Sequence, residues 1–255
     1  MDRRTFSMSL AAGVAGSLLG TQTTRAATTV RNVVLVHGLY ADGSSWSECV
    51  VRLQSAGMNV TAVQNPLTSF ADDVAATRRA LAIQDGPTVL AAHSYGGMVA
   101  SEAGIAPNVT ALVYIAARAP DAGEDYTALA KRFPAPPASA GLVTFEGFAR
   151  LNEDAFLNDF ANGVDPVKAR ELYAVQAPNT ATLSATARTT AAAWRVKPCW
   201  YAVSKQDRTI DPDLERFMAA RMKATTIELD SGHLSLVSHA PEVTTLILQA
   251  AGRTQ

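Results

Sequence analysis

Cysteine is scarce in this chain, with only Cys49 and Cys199 among 255 residues. Two thiols exclude a disulfide-built scaffold. Both lie in apolar stretches with no neighbouring His to activate a thiolate, so they read as two separate buried thiols. An excess of one charge is also missing: 22 Lys and Arg face 23 Asp and Glu, for a formal net charge of −1. No basic run exceeds a pair, which leaves no long-range field for gathering nucleic acid or an anionic membrane. Beyond the N-terminal region no apolar stretch is long enough to cross a bilayer, so no membrane anchor is expected. No set of His, Cys and carboxylate residues stands at metal-ligand spacing, and neither a metal nor a cofactor is expected. Repeats and low-complexity linkers are absent as well, which argues against a second independent domain.

What is present fits a folded globular enzyme, with 48% hydrophobic and 18% charged residues in a length that α/β chains often fold as one domain. The N-terminus is the exception. Arg3-Arg4-Thr5-Phe6 precedes a short apolar stretch, Met8 to Gly20, and small residues follow around Thr24-Arg25-Ala26. This order predicts a secretory signal over residues 1–26 with a twin-arginine character, hence export to a bacterial periplasm or beyond. The expected folded domain is 27–255.

Apolar runs bounded by turn residues alternate with amphipathic stretches. Strands are expected at Asn32–His37, Asn59–Gln64, Thr88–His93, Thr110–Ala116, Cys199–Ser204 and Thr225–Asp230. Val33-Val34-Leu35-Val36 and Ala111-Leu112-Val113-Tyr114-Ile115 are apolar throughout, as strands buried on both faces of a parallel sheet are. Helices are expected at Ser45–Ala56, stopped by Gly57, at Phe70–Gln84, closed by Asp85-Gly86-Pro87, and at Met98–Ile105. Pro212 and Pro241 mark the first turns of two more. The result is an α/β fold with a doubly wound, mainly parallel sheet of about six strands. Residues 118–194 break the alternation. Three helices, Asn152–Phe160, Pro166–Gln176 and Leu183–Trp194, are expected there with no strand between them, forming a helical cap inserted after the fourth strand.

The strongest local signal is Val89-Leu90-Ala91-Ala92-His93-Ser94-Tyr95-Gly96-Gly97. An apolar strand runs into a serine with small residues two places before and after it. A sharp strand-to-helix turn needs small flanks, and it projects the serine hydroxyl at the sheet edge, as a nucleophile requires. Ala92 stands where glycine is usual. Val36-His37-Gly38-Leu39-Tyr40 ends the first strand, and the amides of Leu39 and Tyr95 are placed to hold an oxyanion. Among four histidines, His233 is the expected base, because it follows the last strand and completes the order Ser, acid, His. His37 reads as a structural His bonded to backbone, His93 points away from the hydroxyl, and His239 leads into the last helix. The acid is Asp207 in the loop after Cys199–Ser204, with Asp121 and then Asp230 as alternatives.

These residues resemble the α/β-hydrolase superfamily, and within it the branch of plant methyl-ester esterases and hydroxynitrile lyases. The similarity covers Val34–Trp46, Ala91–Gly97, Ala111–Gly123 and Trp200–Pro241, and is weakest in the insertion. It implies a metal-independent acyl-enzyme mechanism under a helical cap, with Ser94, Asp207 and His233 as triad and Leu39 and Tyr95 as oxyanion-hole amides. Lyases of this branch carry Thr at the position of Gly38 and Lys directly after the catalytic His, where this chain has Leu234. Both departures favour ester hydrolysis. The expected substrate is a small or medium apolar carboxylic ester, with two or three of Phe133, Phe145, Phe148, Phe156, Phe160, Tyr173 and Trp194 lining its pocket. A cofactor-free perhydrolase or lyase on the same fold, or a binding protein that has lost turnover, are the alternatives.

Overall fold

The computed structural model describes residues 30–253; the signal-like segment 1–26 lies outside them. Six parallel strands form one sheet in the order β2-β1-β3-β4-β8-β9. They are β1 (Asn32–Val36), β2 (Asn59–Ala62), β3 (Thr88–His93), β4 (Val109–Ile115), β8 (Cys199–Ser204) and β9 (Thr225–Leu229). The helices between them are α1 (Ser47–Ser55), α2 (Phe70–Ala82), α3 (Gly96–Ala103) and α8 (Pro212–Arg221), and α9 (Ser235–Ser238) and α10 (Ala240–Ala250) close the fold.

Strand alternation divides the core in two. Val34, Val36, Leu90, Ala92, Leu112 and Tyr114 pack with residues of α2, α3 and α8. Val33, Leu35, Val89, Ala91, Val113 and Ile115 pack with residues of α1 and α10 on the other face. All four residues Val33–Val36 are fully buried, each stabilising the fold by roughly 1.5–3 kcal/mol. That two-sided burial explains the unbroken apolar runs. Helix starts follow local chemistry. Ser69 accepts the Asp72 N–H at the head of α2, and Asp211 accepts the Asp213 and Leu214 N–H groups ahead of Pro212.

Between β4 and β8 the chain is not purely helical. It forms α4 (Tyr126–Ala130), β5 (Leu142–Phe145), β6 (Phe148–Leu151), α5 (Glu153–Ala155) continued by a π-helical turn over Phe156–Phe160, α6 (Pro166–Ala174), β7 (Asn179–Thr180) and α7 (Leu183–Thr186). The three strands pair in a separate antiparallel sheet, β5-β6-β7, which corrects the expectation that no strand interrupts the helices. The signal was there but faint. Glu146 and Gly147 both take positive φ, 47° and 82°, in a two-residue hairpin turn. All four residues of β5 are exposed, so no alternation of apolar and polar residues announces the strand.

The helix expected over Leu183–Trp194 is also corrected: only Leu183–Thr186 is α-helical, and a 3₁₀ turn follows at Ala193–Arg195. Between them Glu102 of α3 draws off the backbone donors. Its carboxylate accepts the N–H groups of Thr190 and Ala191 at 2.7 and 3.0 Å and the Thr190 hydroxyl at 2.8 Å. A long-range carboxylate therefore overrides local helix propensity.

Candidate active site

β3 delivers Ser94 to the carboxyl edge of the sheet with φ of +55°, a left-handed conformation that a non-glycine residue adopts only when its surroundings hold it there. Those surroundings are specific. The Ser94 N–H donates to Ile115 C=O at 3.2 Å, while its own C=O accepts from the Gly97 and Arg118 N–H groups at 3.0 and 2.9 Å. The following glycines permit the approach. A Cβ on Gly96 would stand 2.7 Å from the His37 carbonyl oxygen, and one on Gly97 would stand 2.3 Å from that of Arg118. Gly38 plays the same part from the other side, since a Cβ there would meet Ser94 Cβ at 2.6 Å. The loop after β1 thus runs against the serine. Leu39 and Tyr95 follow directly, and their N–H groups find no protein acceptor among the described residues.

Asp207 and His233 come together at the same edge. Asp207 Oδ2 lies 2.5 Å from His233 Nδ1, and both side chains are buried. Asp207 Oδ1 accepts the N–H groups of Thr209 and Ile210 at 2.6 and 2.9 Å. Both lone-pair ends of the carboxylate are therefore engaged, which fixes its orientation and that of the imidazole. His233 Nε2 is buried without a hydrogen-bond partner. No hydrogen bond joins it to Ser94, which is itself almost wholly buried. Such contacts are often long before a substrate is bound.

The other candidates lie elsewhere. Asp121 is paired with Arg195, which holds its carboxyl below the usual range, and it binds the Ala122 N–H. Asp230 is exposed and pairs with Lys205 at 2.7 Å. His37 accepts the Asn65 N–H at Nε2 and donates from Nδ1 to the Gly38 carbonyl. Burial pushes its pKa down. His239 caps the approach to α10 and contacts Ser238. Cys49 and Cys199 are separate buried thiols, each pushed up to about 12 by burial. Among the described residues no three His, Cys, Asp or Glu side chains converge as a metal site.

Asp73 and Glu215 escaped the sequence reading, as did the supporting role of His93. His93 is buried and its Nε2 lies 3.0 Å from the His233 carbonyl, tethering the loop that carries His233. Burial, then the neighbouring His233, hold its pKa well below the usual value. Asp73 of α2 is fully buried and accepts from Tyr95 Oη at 2.8 Å and from the Leu67 N–H at 2.8 Å. It anchors the ring of the residue after Ser94. Its trace in the sequence is a carboxylate on the inward face shared by Val74, Thr77 and Leu81. Glu215, also fully buried, accepts the Ser204 N–H. Burial, then the adjacent Asp207, raise its pKa well above the carboxylate range.

A cavity of about 260 Å³ adjoins this edge, lined by Tyr40, Arg118, Tyr126, Leu142, Ile210 and Leu214 among others. None of the seven aromatic residues expected from the insertion lines it. Phe156 packs on Phe160 and Tyr173, while Phe145 and Phe148 face outward. Phe160 instead covers His233, with ring centroids 5.2 Å apart, and Tyr40 packs edge-on against Phe160.

Comparison with known proteins agrees with this architecture. The model of the alpha/beta hydrolase family matches residues 33–245, and the chain belongs to that family. Polyneuridine aldehyde esterase superposes with a TM-score of 0.74 at 19% identity, over 86% of this chain and 98% of that one. A pyrethroid hydrolase from Sphingobium faniae JZ-2 gives 0.71 at 17% identity, over 88% and 98%. An extracellular α/β-hydrolase from a Paenibacillus species, described as sharing structural and functional homology with tobacco salicylic acid binding protein 2, gives 0.68 at 19%, over 86% and 98%. These neighbours accord with the esterase branch that the motifs resemble. No curated protein sequence matches the chain significantly. No helix of the described residues is long and apolar enough to cross a membrane.

Proposed function

We propose that this hydrolase-family protein is a serine esterase that cleaves a small, largely apolar carboxylic ester through an acyl-enzyme. The observation that carries the proposal is the buried Asp207–His233 contact, whose free imidazole nitrogen is left unpartnered at the edge where Ser94 turns. In this reading His233 takes the proton of Ser94 as its oxygen attacks the ester carbonyl. The Leu39 and Tyr95 amides hold the resulting oxyanion, where preorganised donors need no reorientation. His233 then passes its proton to the leaving alcohol, and water repeats the sequence on the acyl-enzyme. Asp207 orients the imidazole and stabilises the transient imidazolium.

Gly38 favours hydrolysis over the lyase alternative. A Thr side chain at that position would fall against Ser94 Cβ. Residues 118–194 serve as the cap, a role supported by the covering of His233 by Phe160. The single hydrolase domain is assigned to 27–255, behind an export signal at 1–26. The mass of the mature protein recovered from a bacterial periplasm tests the export assignment. A fluorophosphonate probe tests the mechanism. Labelling that maps to Ser94 and disappears in Ser94→Ala is the expected result, and an unlabelled chain would refute the nucleophile.

A further inference from the structure

We infer that the ester taken by this site carries a carboxylate at its far end, which Arg118 receives. The inference rests on the esterase reading for the reacting carbonyl and adds the class of acid. Arg118 lines the 260 Å³ cavity, and its backbone N–H is bound to the Ser94 carbonyl. That bond fixes the main chain of residue 118 beside the Ser94 turn, and the side chain reaches from there into the cavity wall. Its guanidinium lies over the Tyr126 ring, 4.8 Å from the centroid, and Nη1 donates to Ser184 Oγ at 2.8 Å. Its Nε is buried and has no hydrogen-bond partner.

No carboxylate of the described residues forms an ion pair with Arg118. Other arginines, such as Arg79 and Arg150, also lack an ion pair among these residues, but Arg118 is the one Lys or Arg of them that lines the cavity. The one acid lining the cavity is Asp211, whose Oδ1 is spent on the N–H groups of Asp213 and Leu214. A half-buried cation without a counter-ion, with a desolvated donor left open, is costly unless an anion completes it. Planar guanidinium edges match carboxylates in two-pronged geometry. The remaining walls are largely apolar, including Ala130, Pro134, Leu142, Leu151 and Leu214. The fitting substrate is therefore a half-ester of a short dicarboxylic acid, with an apolar chain between the two ends.

The test compares monomethyl glutarate with dimethyl glutarate, which differ in the distal charge. The wild type is expected to favour the half-ester in kcat/KM by roughly 10–100-fold, the span of one charge-assisted hydrogen bond. The preference should shrink with added salt. Arg118→Met should lower the ratio of the two kcat/KM values at least about tenfold, and Arg118→Lys should restore part of it. Calorimetry of monomethyl glutarate on Ser94→Ala reads binding without turnover, and Ser94→Ala combined with Arg118→Met should lose it. A wild type that hydrolyses both esters with no preference overturns the inference while the esterase stands, even if Arg118→Met fails to fold. Arg118-dependent binding with no hydrolysis of either ester leaves the anion site standing and sinks the esterase reading.

Discussion

The turn at Ser94 and the insertion of residues 118–194, which supplies most of the cavity wall, are held together by different means. Around Ser94 close packing does the positioning: the carbonyls of Val36, His37 and Arg118 and the Ser94 side chain itself approach so closely that Gly38, Gly96 and Gly97 leave no room for a methyl group. In the insertion the elements are short, and side chains do the fastening. Glu102 gathers the 190–191 turn, Asp121 pairs with Arg195, and Arg188 binds Asp125 at 2.8 Å. The first region has fully buried strands, whereas the second leaves Leu142, Val143, Phe145 and Phe148 exposed. A site that must hold a strained serine sits on the part of the fold that can least deform. Most of the cavity wall comes from the part that sequence change can most easily remodel.

The largest effect expected is on the turn side. Ser94→Ala should lower ester turnover by roughly 10⁵–10⁶-fold while the thermal midpoint stays near that of the wild type. Turnover that survives in that variant would move the nucleophile elsewhere. Asp207→Asn should cost about 10³–10⁴-fold in kcat through the wrong His233 tautomer, with Asp121→Asn far milder, because Asp121 is committed to Arg195. A reversed order in steady-state rates would transfer the acid to the insertion side.

Stability gives the sharper contrast. Gly97→Ala drives a methyl into the Arg118 carbonyl and should destabilise by about 2–3 kcal/mol. Gly147→Ala, where nothing lies within 4 Å and φ is +82°, should cost only about 1 kcal/mol. Equal losses in denaturant midpoints would erase the distinction between the regions.

The smallest effect is on pH. His93 and His37 have folded pKa values lowered by burial, so below about 6.5 the unfolded chain binds protons that the native state refuses. Their contribution is fully present above that value and is lost as pH falls from it toward the folded values. His93→Gln should flatten this acid slope in unfolding measurements between about pH 6.5 and 5, and an unchanged slope would exclude His93 as its source.

What was legible in the sequence follows from this contrast. Val33–Val36 and Ala111–Ile115 announce strands because burial on both faces demands apolar residues at every position. Ser94 with Gly96, and His233 after the last strand, are legible because a sharp turn restricts residue type locally. Nothing local marks Thr189-Thr190 as a helix breaker, since the agent is Glu102, far away in the chain. The exposed residues of β5 carry no periodicity for the same reason that they are not core.

The sequence by itself determined the parallel sheet, the strained turn at Ser94 and the residue types of a Ser, Asp and His set, because backbone sterics and core burial act residue by residue. The tertiary structure brought Asp207, the acid already preferred to Asp121, onto His233, and it alone decided that His93 tethers the His233 loop, that Asp73 braces the turn, and that Arg118 lines the cavity with no ion pair among the described residues. Those outcomes depend on which side chains converge from separate elements, and ion pairing and desolvation are properties of that convergence rather than of any one stretch of chain.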